Sequence, residues 1–299
     1  MALPHDNLLI LGLGLIGGSL ARAARESGFC GRVSGWGYRA PSLERGVELG
    51  IIDSFTLDLE EAVANADIVA ICTPTLTAAD VLTRILAVTD LGASGPVITD
   101  AASVKGNLRD AAVAAAGRMP SRLVLGHPIA GSEQSGVNAS TADLFRNHRV
   151  ILTPEEGNDP AAVALVRDLW LSTGAEVVEM SVARHDTVLA ATSHLPHALA
   201  YTLVDALASD AASEEIFRCA AGGFRDFTRI ASSDPVMWRD IALANSDALL
   251  GAIDQFSAHL GQLREAVANG NAEQLEATFA RAKAARDRFA EILAEREQG

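Results

Sequence analysis

The stretch Leu8-Leu9-Ile10-Leu11-Gly12-Leu13-Gly14-Leu15-Ile16-Gly17-Gly18-Ser19 constrains the fold of this chain more than any other. A short, wholly apolar run reads as a strand buried on both faces, the kind that parallel sheets contain. Glycines spaced as G-x-G-x-x-G then turn the chain into a helix. Gly12 permits the tight turn, Gly14 lets the backbone approach a pyrophosphate, and Gly17 lets helix and strand pack closely. The helix N-terminus, at Leu15 and Ile16, offers free N–H groups to the anion. The pattern describes a dinucleotide site. Taken alone, it also describes a plain strand-to-helix connection.

The following residues repeat the alternation. A helix is predicted over 20–26 and ended by Gly28, then a strand over 33–36, helices over 42–49 and 60–64, and a buried strand within 66–74. That strand ends in the polar turn Cys72-Thr73-Pro74. A helix over 78–88, a strand over 96–100, a helix over 107–116 and a strand over 123–126 follow. Further strands are expected at 149–153 and 175–180, on either side of a helix at 160–172. Strands alternating with helices predict an α/β, Rossmann-like, doubly wound parallel sheet. After Ser181 strand signals vanish, and helical segments are predicted over 186–207, 214–217, 237–269 and 272–297. The expected domains are therefore a dinucleotide-binding domain over 1–180 and an all-helical domain over 181–299. In the last segment Leu275, Phe279, Ala282, Phe289 and Ile292 share an apolar stripe, read as core or as a dimer surface.

At 299 residues two domains are the natural expectation, and 49% hydrophobic with 21% charged residues is an ordinary globular composition. A net charge of −14 argues against nucleic acid or an anionic membrane as the partner. Cys30, Cys72 and Cys219 fit neither a disulfide framework nor a zinc set. No apolar run reaches membrane-spanning length and the first residues lack a basic leader, so a reducing cytoplasmic compartment is expected.

Ligands of open α/β sheets sit beyond the carboxyl ends of the strands, which singles out Ser103 and His127. An imidazole accepts a hydroxyl proton near neutral pH, and a serine hydroxyl nearby orients it, as oxidation of an alcohol requires. His127 read by position alone is equally a histidine satisfied at a strand end. In Ser193-His194-Leu195-Pro196-His197 a proline interrupts an apolar helix. A kinked helix with one histidine turned to the substrate is preferred there over a metal pair, since no further ligand has a recognisable spacing. Arg225 and Arg229 stand four apart near Asp226, with Arg218 and Arg239 close by, a basic island in an acidic chain. It suits a carboxylate-bearing substrate, and equally a structural salt-bridge face. After the second strand, Gly37 stands where an acid would bind the ribose of NAD, and Arg39 follows. This leans toward NADP+ over NAD+, with Arg39 as a solvated loop charge the alternative.

Together these motifs resemble the prephenate and arogenate dehydrogenase family of tyrosine biosynthesis. The glycine turn, residues 100–106 (DAASVKG), 127–133 (HPIAGSE), 193–197, 222–231 and Trp238-Arg239-Asp240 stand in the family's order. The resemblance implies NAD(P)-dependent oxidative decarboxylation of a cyclohexadienol: hydride leaves C4 for the nicotinamide, His127 takes the hydroxyl proton, and carbon dioxide leaves to give the aromatic product. It further implies that Ser103 hydrogen-bonds His127 and the cofactor region, and that Thr73 and Pro74 border the cofactor. Arg229 would hold a substrate carboxylate. Glu133, His197, Asp226, Arg225, Trp238 and Ser193 would line or organise the pocket, with His185 in the same neighbourhood. No metal is implied. A homodimer is, and the chain stops short of an appended regulatory domain, so tyrosine feedback would act at the active site. The rivals are a β-hydroxyacid dehydrogenase, whose catalytic lysine has no counterpart because only Lys283 follows residue 180, and a non-catalytic NAD(P)-binding sensor.

Overall fold

A computed structural model describes residues 7–89, 95–132 and 134–298. Its contacts divide into two compact units, Met1–Ser246 and Asp247–Gly299. The first is built on an eight-stranded sheet of β1 (Asn7–Leu11), β2 (Arg32–Trp36), β3 (Ser54–Thr56), β4 (Ile68–Ile71), β5 (Val97–Asp100), β6 (Leu123–Pro128), β7 (Arg149–Thr153) and β8 (Glu176–Glu179). The spatial order is β3-β2-β1-β4-β5-β6-β7-β8. The direction of winding reverses between β1 and β4, which opens a crevice at their carboxyl ends.

From Leu8 to Leu11 β1 is apolar because both its faces are covered. Leu8 and Ile10 join one core with Leu20, Ala21 and Ala24 of α1 (Leu15–Glu26), Leu43 of α2 (Ala40–Glu48) and Val166, Leu169 and Trp170 of α6 (Pro160–Ser172). Leu9 and Leu11 join the other. There they meet Leu59 and Val63 of α3 (Leu59–Ala64), Val81, Leu82 and Ile85 of α4 (Thr75–Val88) and Leu108 and Ala112 of α5 (Gly106–Ala116). The doubly wound fold follows directly from this period-2 partition.

β7 departs from the parallel expectation: it runs antiparallel to β6, with His127 opposite Ile151. Among the described residues of 129–148 there is no crossover helix, only the 3-10 turn Val137–Ala139, and the chain returns in the opposite direction. That return is stitched to α1 by Arg22 Nε to Ser140 Oγ, 3.1 Å, and Thr141 N to Ser19 Oγ, 3.1 Å. The edge strand β3, not expected from the sequence, is half-buried and only three residues long, too short for a periodicity to stand out.

Beyond the sheet, the expected helix over 186–207 divides into α7 (Val182–Leu189), a π-helical segment Ala190–His194 and α8 (Leu195–Ala208). Pro196 has no N–H to donate and crowds the preceding turn, which the wider π turn relieves. Two short helices, α9 (Ser213–Arg218) and α10 (Gly222–Thr228), lead through a 3-10 turn Arg229–Ser232 into α11 (Pro235–Ala244). Asp234 starts α11 by accepting from Val236 N at 2.7 Å and Met237 N at 3.1 Å. The helix expected over 237–269 breaks at Asn245, whose side chain is drawn inward.

The second unit holds α12 (Ser246–Ala268) and α13 (Ala272–Gln298). Phe279, Phe289 and Ile292 of the apolar stripe are about half exposed or more, at 58%, 50% and 47%, so in the single chain the stripe is surface. No helix among the described residues is long and apolar enough to cross a membrane.

Gly17 carries a direct test of the turn. A Cβ there would lie 2.2 Å from the Gly12 carbonyl oxygen, so the backbone itself must yield. Gly17→Ala is expected to cost about 1–3 kcal/mol by urea unfolding and to weaken dinucleotide binding.

Candidate active site

The glycine turn forms a cradle at the switch point. Gly12 takes φ +95°, and a Cβ there would press on Thr73 and the Cys72 carbonyl. Gly14 has nothing within 4 Å of where a Cβ would stand, so the space beside it is open to a ligand. Gly14 is also the N-cap of α1 and supplies no side-chain cap, which leaves the first N–H groups, from Leu15 and Ile16 onward, for an anion. Thr73 Oγ1, next to this turn, is buried with no hydrogen-bond partner. Pro74 is the N-cap of α4. These features fit a dinucleotide.

At the end of β5, Asp100 and Lys105 form a wholly buried ion pair. Lys105 Nζ also donates to the Gly126 carbonyl at 2.6 Å, and Asp100 Oδ1 accepts from Gly126 N at 3.1 Å. Both backbone groups of the residue before His127 are thereby held. Burial pulls the Lys105 pKa down, against the attraction of Asp100 and Asp186. The Cys72 thiol is pushed up to about 12 by burial and then by Asp100, so it remains protonated.

His127, buried at the end of β6, lies with its Nδ1 2.9 Å from His185 Nε2. His185 Nδ1 is 2.7 Å from Asp186 Oδ1. The Asp186 carboxylate also accepts from Lys105 N at 3.0 Å and Gly106 N at 2.8 Å, and so caps α5 from α7. His127 Nε2 makes no hydrogen bond among the described residues. Among the described residues the hydrogen-bond partner at His127 Nδ1 is His185, and none is seen to Ser103, for which the family resemblance implied that role. Burial holds the His127 pKa well below 6.5, reinforced by His185, Lys105 and His194, so the ring is neutral at pH 7.

Asn245 ties the helical residues in, donating from Nδ2 to the Asp186 carbonyl at 2.9 Å and standing 3.1 Å from His194 Nδ1. His194 Nε2 and Trp238 Nε1 are buried and have no hydrogen-bond partner among the described residues. The Trp238 and His197 rings stack, with centroids 3.5 Å apart and planes at 17°, and His197 Nδ1 bonds the Ser193 carbonyl at 2.9 Å. Burial lowers the His197 pKa, and the nearby Arg229 guanidinium lowers it further. Arg225 and Arg229 do not share one helix, because α10 ends at Thr228 between them. Arg225 pairs instead with Asp226 at 3.2 Å on the surface. Glu133 lies outside the described residues.

Residues 20–179 match the family profile described as prephenate dehydrogenase, nucleotide-binding domain, and residues 181–281 the one described as prephenate dehydrogenase, dimerization domain. The chain belongs to the prephenate dehydrogenase family. Among its relatives, prephenate dehydrogenase of Bacillus subtilis is 39% identical over 94% of this chain and 76% of its own. Cyclohexadienyl dehydrogenase of Zymomonas mobilis is 36% identical over 94% of both. The crystal structure of Aquifex aeolicus prephenate dehydrogenase, in complex with hydroxyphenyl propionate and NAD+, superposes with TM-score 0.88. It is 37% identical over 97% of this chain and all of that one.

Within this prephenate dehydrogenase family fold, the sequence did not single out Asp186 or Asn245, and had Lys105 and His194 only as parts of motifs. Their roles depend on partners up to 81 residues distant, for which local spacing holds no signal. One signal was present: Lys105 is one of only two lysines in the chain.

The buried histidines make a pH prediction. An unfolded histidine titrates near 6.5. His127, His185 and His194 titrate lower when folded, the last at about 4, so below pH 6.5 the unfolded chain binds more protons. Unfolding free energy should therefore fall as pH drops from 6.5 toward 4, by up to about 1.4 kcal/mol per pH unit for each histidine. Urea titrations at pH 7, 6 and 5 measure it, and a flat profile would contradict neutral rings.

Proposed function

We propose that this chain oxidatively decarboxylates prephenate, arogenate or both in tyrosine biosynthesis, and that its active site is the His127 crevice. The observation that carries this reading is a neutral imidazole with an open Nε2 at the carboxyl end of β6, beside a dinucleotide cradle. Gly12, Gly14, Leu15, Ile16, Gly17, Thr73, Pro74 and Ser103 hold the cofactor in this reading. When bound, the nicotinamide supplies the hydride acceptor for the ring carbinol carbon. His127 takes the hydroxyl proton at Nε2. Arg229 grips a substrate carboxylate, the ring carboxylate leaves as carbon dioxide, and its electron pair completes the aromatic ring. Glu133, His197, Asp226, Arg225, Trp238 and Ser193 line or organise the pocket. The proximity of Arg229 to His197, and the stack of His197 on Trp238, support this grouping.

The finer cofactor reading favours NADP+. A Cβ at Gly37 would meet nothing closer than Leu43 at 3.6 Å, so packing does not demand glycine where the acid would stand. Arg39 is exposed at the N-cap of α2 and makes no ion pair among the described residues. Arg84 adds a second guanidinium, 5.8 Å from the ring centroids of both Trp36 and Tyr38. The same reading divides the chain functionally near residue 180, pairs two copies through the exposed stripe of α13, places the enzyme in the cytoplasm, and locates any tyrosine feedback at the active site.

Reduced-nicotinamide formation from prephenate or arogenate, each with NAD+ or NADP+, tests this directly. Turnover in at least one of the four mixtures is expected, with the faster rates on NADP+. Folded protein that binds cofactor and is silent in all four would refute it. His127→Asn should retain cofactor affinity and lose about 10²- to 10⁴-fold in kcat. Arg229→Ala should act mainly on KM, and unchanged kinetics would remove the clamp assignment.

A further inference from the structure

We propose that Asp186 and His185 are positioning residues that fix the tautomer of His127, so that Nε2 presents its lone pair to the substrate hydroxyl. This rests on His127 being the base. The argument is a donor count along one buried line. A carboxylate can only accept. Asp186 is fixed by the N–H groups of Lys105 on Oδ1 and Gly106 on Oδ2, at the start of α5, and presents Oδ1 to His185 Nδ1 at 2.7 Å. His185 Nδ1 must therefore be the donor.

A neutral ring protonated at Nδ1 has its lone pair at Nε2. His185 Nε2 faces His127 Nδ1 at 2.9 Å, so His127 Nδ1 must donate in turn. That leaves the lone pair of His127 at Nε2. The opposite order would set two lone pairs or two N–H groups against each other, with His185 wholly buried and out of reach of bulk solvent. The arrangement also serves the step that follows. When Nε2 takes the proton, the positive ring is joined through His185 to the ionised Asp186, as a carboxylate steadies the imidazolium of a serine protease triad, here through one additional ring. The Asp186 pKa is held below the ordinary carboxylate value: burial raises it, but the hydrogen bonds from His185, Lys105 and Gly106 outweigh that.

Asp186 also caps α5, so two kinds of variant are needed. The probe is the full chain labelled with ¹⁵N-histidine, read by long-range ¹H–¹⁵N correlation at pH 7.5, with His127 signals assigned by their loss in His127→Asn. The wild-type spectrum should show His127 protonated at Nδ1 and bare at Nε2. Asp186→Ala, which removes the acceptor for His185 Nδ1, and His185→Leu should populate the Nε2-protonated form and lower kcat about 10²- to 10⁴-fold, and for His185→Leu KM and the Kd for cofactor should stay within about threefold. His185→Leu leaves the cap on α5 untouched. His185→Gln restores an acceptor for His127 Nδ1 and should recover at least about tenfold in kcat over His185→Leu. A wild-type His127 protonated at Nε2 would overturn the proposal, as would His185→Leu that leaves both spectrum and kcat unchanged. If the wild type oxidises neither substrate, the proposed function fails, while the spectra still decide the tautomer.

Discussion

The site depends first on the buried ion pair of Asp100 and Lys105. Charges are removed from water at considerable cost, and a pair survives in the interior only when its remaining donors and acceptors are filled. Here the Asp100 carboxylate accepts from Ala102 N and Gly126 N, and the Lys105 ammonium donates to the Gly126 carbonyl. The pair thus clamps the carboxyl ends of β5 and β6 together and fixes the peptide units before His127. Lys105 belongs equally to the N-terminus of α5, where its own N–H reaches Asp186. One residue therefore joins two strands, one helix and the first helical turn beyond the sheet.

That joint explains why the helices between residues 182 and 244 share one compact unit with the sheet. Asp186 caps α5 with its side chain and is itself held by Asn245 through its carbonyl. Asn245 in turn bonds His194 in the π-helical turn. The widened turn and the break between α11 and α12 are local departures from helical regularity. Each brings a polar side chain to the crevice rather than to solvent, as π turns at functional sites commonly do.

The electrostatics of the crevice follow from burial. Three neighbouring histidines, two of them beside a buried ammonium, cannot all be charged, and desolvation keeps their rings neutral. A neutral ring is what a proton acceptor requires. In the proposed reaction the grip on an anionic substrate falls to a separate residue type, the guanidinium of Arg229.

The sequence by itself determined the features that are local. Alternating apolar residues in β1 need only the two covering layers, and the glycines at 12, 14 and 17 need only the geometry of a strand turning into a helix, so both were legible. So were most strands and helices, and the position of His127 at a strand end. Only the tertiary structure decided the rest. The antiparallel return of β7 depends on how the segment at Ser140 and Thr141 is tied to α1. β3 exists because β2 offers it an edge, its three residues being too few for a periodicity to stand out. The partner of His127 is His185, 58 residues away, rather than the nearer Ser103, because Asp186 is anchored on the N–H groups of α5 and carries His185 with it. A hydrogen bond is a matter of ångströms in space, and spacing along a chain predicts it only where the chain itself sets the distance.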